Sequence, residues 1–287
     1  MHRALQTAFA LTRAHILAIA CLACLTFGWL MTGQHLWLAA VFCAIDWFIV
    51  NLVNRVVDLA EDTANGIVGT ELVAKRAAWF ERGCWLLCAT SLALGHLWFP
   101  ELTPWRAVFT AIGLAYNYRL LPGRTRFKEL YLLKNFSSGV LFLISTVAYP
   151  AVIGGAQPSW AWLAVILGFF LPLEITYEII YDLRDVQGDR QERIPTFPVV
   201  HGERTAHAII WGLLAISGLS LVVGASVGVI GLAAFALIGG TLQQALYFGA
   251  RIRHEATPAR CIFLTWLGAA QILAYHVWIL AGLPTAF

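Results

Sequence analysis

The sequence predicts an all-α, polytopic membrane protein with nine transmembrane helices. Of its 287 residues, 60% are hydrophobic and only 12% are charged, whereas a soluble domain of this length needs far more polar surface. Apolar runs long enough to cross a bilayer recur along the chain. Basic residues gather on one side of the resulting topology. Together these observations exclude a soluble protein.

The nine apolar runs follow one another with short polar connections. The first run follows Arg3 and Arg13 and looks superficially like a signal peptide, but no small-residue cleavage site follows it, so we interpret it as the first helix. The third run is the least apolar because Glu81 and Arg82 lie inside it. The predicted spans are 13–32, 36–60, 78–99, 102–121, 130–152, 158–183, 205–225, 228–250 and 259–282.

The distribution of basic residues predicts the orientation. With the N-terminus inside, the inner segments are the N-terminal tail, the loops after spans two, four, six and eight, and the adjoining helix ends. Of the 19 Lys and Arg residues, Arg106 alone lies on the outer side. By the positive-inside rule, the N-terminus and these loops are cytoplasmic. The sequence thus predicts an integral multi-pass membrane protein whose partner is the lipid bilayer.

All six cysteines fall within predicted spans. Cys21 and Cys24 form a Cys-x-x-Cys pattern, but no second pair or histidine cluster lies nearby. Small apolar packing residues are therefore the favoured interpretation over a metal or redox site.

The second predicted span ends in an unusual polar face, in the stretch NRVVDLAEDTANG. Asn54, Asp58 and Asp62 are four residues apart, and this spacing stacks side chains on one face of a helix. Like charges at this spacing repel each other, and near a membrane they are poorly solvated. Something must offset that cost.

The sixth span repeats the pattern. Five acidic residues there are spaced 4, 4, 3 and 4 apart, again on one helical face: Glu174, Glu178, Asp182, Asp185 and Asp189. Both acidic ends lie on the inner side of the predicted topology. The chain is therefore interpreted as one domain, 1–287, with two comparable halves of about 1–128 and 129–287.

Two interpretations of the acidic faces compete. Carboxylates at a helix end are often merely solvated or paired with nearby basic residues. Alternatively, two facing clusters hold divalent cations. Mg²⁺ takes one or two protein carboxylates, keeps waters and completes its shell with substrate phosphate oxygens. Two such ions around one diphosphate would neutralise charge on a leaving group, and Asn54 fits as a neutral oxygen ligand.

A diphosphate also needs cationic donors, and the loop after the fourth span supplies them. Arginine makes forked contacts to phosphate, and lysine provides a point charge. The positive-inside rule alone also predicts basic residues here. The basic residues of this loop and of the second acidic cluster are Arg119, Arg124, Arg126, Lys128, Lys134, Arg184 and Arg190.

These residues resemble the motifs of the UbiA superfamily of intramembrane prenyltransferases. Asn54, Asp58 and Asp62 match its first motif, N-x-x-x-D-x-x-x-D, and Asp182, Asp185 and Asp189 match its second, D-x-x-D-x-x-x-D. IPTFPVVHGER resembles the segment that trails the second motif, and LTRAH resembles the N-terminal arginine element. Tyr118 with Arg126 and Lys128 resembles the tyrosine and basic loop. The resemblance covers most of the chain.

The resemblance implies nine helices around a central cavity, which agrees with the number of spans. It also implies that a prenyl diphosphate, held through Mg²⁺, ionises to an allylic carbocation that an aromatic or lipid-like acceptor attacks. The implied metal ligands are Asn54, Asp58, Asp62, Asp182, Asp185 and Asp189. The implied catalytic residues are Asp58, Asp62, Asp185, Asp189 and Tyr118. The implied diphosphate-binding residues are Arg126, Lys128, Lys134 and Arg184.

Departures from the family pattern leave the acceptor open. Ala14 stands where many members place a proline, the loop after the first motif has no Arg-Pro pair, and Tyr118 lies farther from Lys128 than in the compact motif. Intramembrane carboxylates and polar residues near the start of the first helix are candidate acceptor contacts, although the carboxylates could instead be paired between helices. These candidates are Arg13, His15, Asp46 and Glu174.

Two alternatives to prenyl transfer share part of this pattern. A class I terpene cyclase on the same scaffold uses the same aspartates and needs no acceptor. A cation-coupled transporter would place acids near the middle of the membrane in helices interrupted by Gly or Pro, whereas here most acids lie at one interface. No nucleic-acid-binding motif is present in the sequence.

Overall fold

A computed structural model describes residue 9 and residues 11–64 and 67–282. These residues form helices and connecting turns, with one isolated bridge between Leu121 and Thr125. Nine long helices follow one another in the described part of the chain: α1 Ala14–Thr32, α2 Trp37–Val57, α3 Thr70–Trp98, α4 Thr103–Asn117, α5 Leu133–Ile153, α6 Trp160–Gln191, α7 Glu203–Ser226, α8 Leu232–Ile252 and α9 Pro258–Leu280.

Seven of these helices are long and apolar enough to cross a membrane, namely α1, α2 and α5 to α9. The sequence-based prediction of a span is confirmed for these seven. At positions 78–99 and 102–121, where two further spans were predicted, the structure has α3 and α4. These two spans stay predictions.

Helices α3 and α4 differ from the predicted spans for physical reasons. Helix α3 begins at Thr70 and so includes the charged residues Lys75 and Arg76, and its backbone departs from helical geometry at Arg76. Helix α4 has 15 residues and is therefore only about 22 Å long, less than the hydrocarbon thickness of a bilayer. If neither α3 nor α4 crosses the membrane, the predicted side of every later loop stays the same, because two consecutive crossings return the chain to the side where it started.

Four short helices connect the long ones on the side of the acidic helix ends or between α3 and α4. Two of them are α-helical and two are 3₁₀ turns. They are Leu59–Ala64, Pro100–Leu102, Phe127–Glu129 and Phe197–His201.

The long helices pack so that distant parts of the chain meet. Helix α6 packs against α5 and α7, while α9 contacts both α1 and α6 and so joins the end of the chain to its beginning. Buried aromatic rings fill the contacts among α1, α2, α5 and α6. The rings of Phe27 and Phe170 meet edge to face with centroids 5.0 Å apart, and those of Trp47 and Phe142 lie 4.2 Å apart.

A small apolar cavity of about 20 Å³ lies between α2, α3 and α4. Polar side chains lie at both of its ends, those of Asn117 and Asp46. The central cavity that the resemblance implies stays a prediction.

Candidate active site

The first acidic motif lies where α2 bends. Helix α2 ends at Val57, and Asp58 adopts φ −97° and ψ 28° before the short helix Leu59–Ala64 continues the chain. The helical hydrogen bonds persist through the bend, because the Asp58 N–H donates to Asn54 O (2.9 Å) and the Asp62 N–H to Asp58 O (2.8 Å). The turn-by-turn spacing that the sequence predicts for this motif is therefore present.

Three cationic or amide groups converge on the Asp58 carboxylate. Arg126 Nη1 lies 2.9 Å from Oδ1, and Lys128 Nζ lies 2.7 Å from Oδ2. Asn54 Nδ2 donates to the same Oδ2 at 2.5 Å. Lys128 also contacts Glu61 at 2.8 Å. Asp58 and Lys128 are both buried, at 7% and 3% exposure, so each charge depends on the other for compensation.

The basic loop between α4 and α5 is held in shape by its own charges. Arg126 Nε contacts Glu129 Oε1 at 2.8 Å across the 3₁₀ turn Phe127–Glu129. Although burial lowers the pKa of Arg126, the charges of Asp58 and Glu129 raise it above its ordinary value. Burial acts to raise the pKa of Glu129, but its hydrogen bonds to Arg126 lower it overall. The loop thus presents fixed positive charge to the end of α2.

The second acidic motif is neutralised from the start of α5. Lys134 Nζ lies 2.8 Å from Asp182 and 3.2 Å from Asp189. Asn135 Nδ2 donates to Asp182 at 2.8 Å, and both aspartates are 2% exposed. One turn deeper on α6, Glu178 accepts a 2.7 Å hydrogen bond from the Ser138 hydroxyl. The predicted acidic face of α6 therefore lies against a polar face of α5.

Asp185 is placed differently from its two neighbours in the motif. Its carboxylate pairs with the adjacent Arg184, whose Nε donates to Asp185 Oδ1 at 2.7 Å. The side chains of this pair are 17% and 25% exposed. The Arg184 guanidinium also lies over the ring of Tyr181, 4.7 Å from its centroid.

The tyrosine predicted from the basic loop does not face the acidic motifs. Tyr118 donates to Glu81 of α3 at 2.9 Å and stacks near Trp85. Tyr116, which the sequence analysis missed, lies on the last turn of α4, one residue before the buried Asn117.

Asn117 is a second residue that the sequence analysis missed. It is 1% exposed and accepts a 3.1 Å hydrogen bond from Asn54 Nδ2. The available signal was a polar residue, Asn117, at the end of an otherwise apolar run, whereas the sequence analysis singled out only its neighbour Tyr118.

Arg13, a predicted acceptor contact, reaches the first motif instead. Its Nη2 donates to Asn54 Oδ1 at 2.7 Å. His15, predicted for the same role, stacks on Tyr181 with ring centroids 6.4 Å apart. The start of α1 therefore lies beside both motifs, with Arg13 toward the first and His15 toward the second.

The two intramembrane carboxylates have contrasting surroundings. Asp46 is held by Arg106, whose Nε lies 2.9 Å from Asp46 Oδ2, and by Tyr149, whose hydroxyl lies 2.7 Å from the same oxygen. Arg106, predicted to lie on the outer side, is thus buried at 1% exposure inside the bundle. Glu174 is 7% exposed and makes no hydrogen bond to another residue that the structure describes.

Asp62 is bound by a residue of its own motif. Arg55 Nη1 lies 2.8 Å from Asp62 Oδ2, and Arg55 Nη2 donates to Val68 O at 2.9 Å. Arg55 is 2% exposed and Asp62 is 8% exposed. The bond therefore ties the end of α2 to the segment that leads into α3.

The donor groups of the two motifs suit a hard cation. Within residues 9, 11–64 and 67–282, no three His, Cys, Asp or Glu side chains converge as a metal site. However, Lys134 and Lys128 each lie where two carboxylates converge on one positive charge. Carboxylate and amide oxygens are the ligand type that Mg²⁺ prefers, so the chemistry of the donor set fits this ion.

The six cysteines are free thiols, and all but Cys21 are buried. Cys21 is half-buried, and its thiol lies 3.6 Å from Ala40 O on the neighbouring helix α2. This agrees with the predicted packing role.

Comparisons with known proteins agree with this architecture. The model of the UbiA prenyltransferase family matches residues 14–268. A digeranylgeranylglyceryl phosphate synthase from Methanothermobacter thermautotrophicus is 31% identical over 96 residues, which is 33% of this chain and 32% of that protein. The alignment thus spans about a third of the relative's length.

Solved structures share the fold at low sequence identity. A UbiA homologue from Archaeoglobus fulgidus, solved with GPP and Mg²⁺ bound, has a TM-score of 0.70 at 18% identity, covering 96% of this chain and 99% of that one. A UbiA homologue from Aeropyrum pernix K1 has a TM-score of 0.61 at 19% identity, covering 92% and 97%. With the family model matching most of its length, the chain belongs to the UbiA prenyltransferase family.

Proposed function

We propose that the protein is an intramembrane, Mg²⁺-dependent prenyltransferase that ionises a prenyl diphosphate and transfers the prenyl group to a hydrophobic acceptor. One observation carries the proposal. Two buried acidic motifs, at the ends of α2 and α6, are each neutralised by a lysine from the segment that connects α4 to the start of α5. The A. fulgidus homologue with GPP and Mg²⁺ bound supports the same class of substrate.

The residues that would hold the metal are the oxygen donors of the two motifs. These are Asn54, Asp58, Asp182, Asp185 and Asp189. When bound, Mg²⁺ would neutralise the charge that develops on the leaving diphosphate. Both motifs lie at helix ends, where the apolar bundle meets the polar loops.

The basic residues have a second role in this proposal. Arg126, Lys128, Lys134 and Arg184 now compensate carboxylates, and all four are of the types that bind phosphate oxygens. A diphosphate entering with its metal would bring both signs of charge, so each lysine can exchange a carboxylate partner for a phosphate partner. The exchange conserves the charge balance of the buried site.

The reaction is a substitution at the first carbon of the prenyl chain. The bond from this carbon to the diphosphate oxygen breaks, and its electron pair leaves with the diphosphate. The acceptor forms the new bond and loses a proton. An apolar bundle excludes the water that would otherwise capture the allylic cation.

The acceptor is proposed as aromatic or lipid-like. The name of the M. thermautotrophicus relative denotes a lipid product, and this favours a lipid-like acceptor. We propose that the N-terminus and the loops bearing the site are cytoplasmic, because all basic residues other than the buried Arg106 lie on that side.

Diphosphate release tests the proposal directly. Purified protein in detergent is incubated with geranyl, farnesyl or geranylgeranyl diphosphate, with Mg²⁺ or with EDTA, and the organic product is identified. We expect Mg²⁺-dependent release that Asp58→Asn and Asp182→Asn abolish. Glu255→Gln, the same chemical change at an exposed surface pair with Arg260, is the control.

Three other outcomes carry different meanings. A cyclic hydrocarbon formed without any acceptor would replace transfer with terpene cyclisation. Release that persists in EDTA would contradict the metal requirement. Neither binding nor release of any of the three diphosphates would contradict the enzymatic function.

A further inference from the structure

The two acidic motifs differ in what neutralises them. The aspartates Asp58, Asp182 and Asp189 are paired with basic residues from a different element, the loop 118–132 or the start of α5. Asp62 is paired with Arg55, which lies within the same motif, at the end of the helix that carries Asn54. Asp185 also pairs with a residue of its own segment, Arg184, but that pair is partly exposed, whereas Arg55 and Asp62 are both buried.

The difference decides which carboxylates a metal can reach. Arg126 also pairs with Glu129, and Lys128 also pairs with Glu61, so each keeps a carboxylate partner when a metal takes Asp58. Arg55 is 2% exposed; within the described part of the chain its carboxylate partner is Asp62, whose Oδ2 lies 2.8 Å away, and it also donates to Val68 O at 2.9 Å. A metal that took Asp62 would leave the buried Arg55 guanidinium without its carboxylate, which is strongly unfavourable.

We infer that Asp62 is a structural partner of Arg55 and not a metal ligand, and that Arg55 is a positioning residue for the first motif. The inference rests on the proposed function, because it concerns the ion and diphosphate of that site. The first motif would then contribute the donors of Asn54 and Asp58 alone. This ligand set is smaller than the one that the family resemblance implies.

Arg55 connects three segments of the chain, and these connections indicate its role. It lies on the last turn of α2, its carboxylate partner lies on the short helix Leu59–Ala64, and its carbonyl partner Val68 precedes α3. The bend at Asp58 lies between the first two of these. Arg55 therefore sets the angle at which Asp58 meets the basic loop.

Metal binding, measured without turnover, tests the inference. The probe is Mn²⁺, followed by electron paramagnetic resonance in the presence of geranyl S-thiolodiphosphate, which resists ionisation. We expect Asp58→Asn to lose Mn²⁺ binding, and Asp62→Asn to weaken it far less. Arg55→Gln should leave the Mn²⁺ affinity unchanged or lower it.

The sign of the Arg55→Gln effect is decisive. If Asp62 is a ligand that Arg55 masks, removing the guanidinium frees a carboxylate and tightens Mn²⁺ binding. Tighter binding in Arg55→Gln would therefore overturn the inference. So would a loss of binding in Asp62→Asn as large as that in Asp58→Asn.

A measurement without metal tests the Arg55–Asp62 ion pair separately from metal binding. Thermal unfolding in EDTA is compared for Arg55→Gln, Asp62→Asn and the double variant. We expect each single change to lower Tm by several degrees and the double change to lower it no further than the worse single one. Additive decreases would refute the pairing. If the unaltered protein binds no Mn²⁺ with the analogue, the proposed function fails, while this cycle still decides whether Arg55 and Asp62 act as a pair.

Discussion

Lys134 holds a single ammonium group between two buried carboxylates, 2.8 Å from Asp182 and 3.2 Å from Asp189. Two aspartates this close together and 2% exposed would repel each other strongly without a cation. Lys134 was one of several basic residues in its loop, and sequence spacing could not single it out. Its contacts make it the charge on which the second motif depends.

Lys134→Gln should therefore destabilise the metal-free protein. Removing one member of a buried ion pair costs about 3–5 kcal/mol, and here two carboxylates lose their partner. Mg²⁺ should raise the Tm of this variant more than that of the unaltered protein, because a divalent ion can restore the missing charge. Thermal unfolding in EDTA and in Mg²⁺ measures both effects. Lys75→Gln, at an exposed position of α3, should change neither, and an Mg²⁺ response equal in both variants would contradict the prediction.

The Asp46–Arg106 pair is a buried ion pair between α2 and α4, away from the two acidic motifs. Both residues are nearly fully buried, and the Asp46 carboxylate accepts hydrogen bonds from Arg106 and Tyr149. The pairing between helices that the sequence left open for Asp46 is thus the arrangement observed. Asp46 lies on α2, two turns from Asn54. Its ion pair with Arg106 therefore fixes α2 against α4 near the first motif.

Arg106→Met should unfold the protein at lower temperature without altering the binding of geranyl S-thiolodiphosphate. We expect a loss of about 3–5 kcal/mol in the free energy of unfolding, because Asp46 is left buried without its counter-charge. Arg119→Met is the matched control, since the Arg119 side chain is 64% exposed and a surface pair contributes about 0–1 kcal/mol. An equal decrease in unfolding free energy in the two variants would show that the buried Asp46–Arg106 pair contributes no more to stability than the exposed Arg119 pair.

At the scale of elements, α6 is the helix that positions the second motif, and it packs most closely on α7. Small residues make this approach possible. A Cβ at Gly168 would lie 2.5 Å from Ser220 Oγ, and one at Gly224 would lie 2.6 Å from Val165 Cγ1. The Ser220 hydroxyl also donates to Val165 O at 3.0 Å. Close backbone contact of this kind is typical of helix pairs in membranes.

Gly224→Ala tests whether this contact matters. The added methyl collides with the branched Val165 side chain, and overpacking of this kind costs about 1–3 kcal/mol. Gly212→Ala in the same helix meets no atom within 4 Å and should stabilise the protein by about 0.5–1 kcal/mol through helix propensity. Opposite signs in the two unfolding free energies are expected. A stabilising effect of Gly224→Ala would show that α6 and α7 have room to adjust.

At the scale of the whole molecule, the candidate site draws residues from both of the proposed halves of the chain. The proposed halves, about 1–128 and 129–287, each carry one acidic motif, and the basic residues that neutralise them lie on either side of the boundary, at Lys128 and Lys134. Helix α9 packs against α1 and closes the arrangement. We propose that the chain is a single domain, because neither half has a complete site.

Sidedness follows from the same whole-molecule pattern and can be measured by cysteine labelling. All six native cysteines lie in helices α1, α2, α3 and α9 and can be replaced by alanine. A single cysteine placed at Thr125, in the basic loop, should react with a membrane-impermeant maleimide only in inverted vesicles. One placed at Gln157, between α5 and α6, should react only in intact cells. The reverse pattern would contradict the predicted orientation.

The sequence by itself determined the helical architecture, the two acidic faces and, among its nine predicted spans, the seven helices that are long and apolar enough to cross a membrane. These depend on hydrophobic run length and on residue spacing within one helix, both of which are local. The tertiary structure alone decided the partners. It placed Tyr118 on Glu81, Arg13 on Asn54 and Arg106 on Asp46. Such pairs join elements far apart in the chain, and several basic residues satisfy the same spacing, so only the packing of the helices chooses among them.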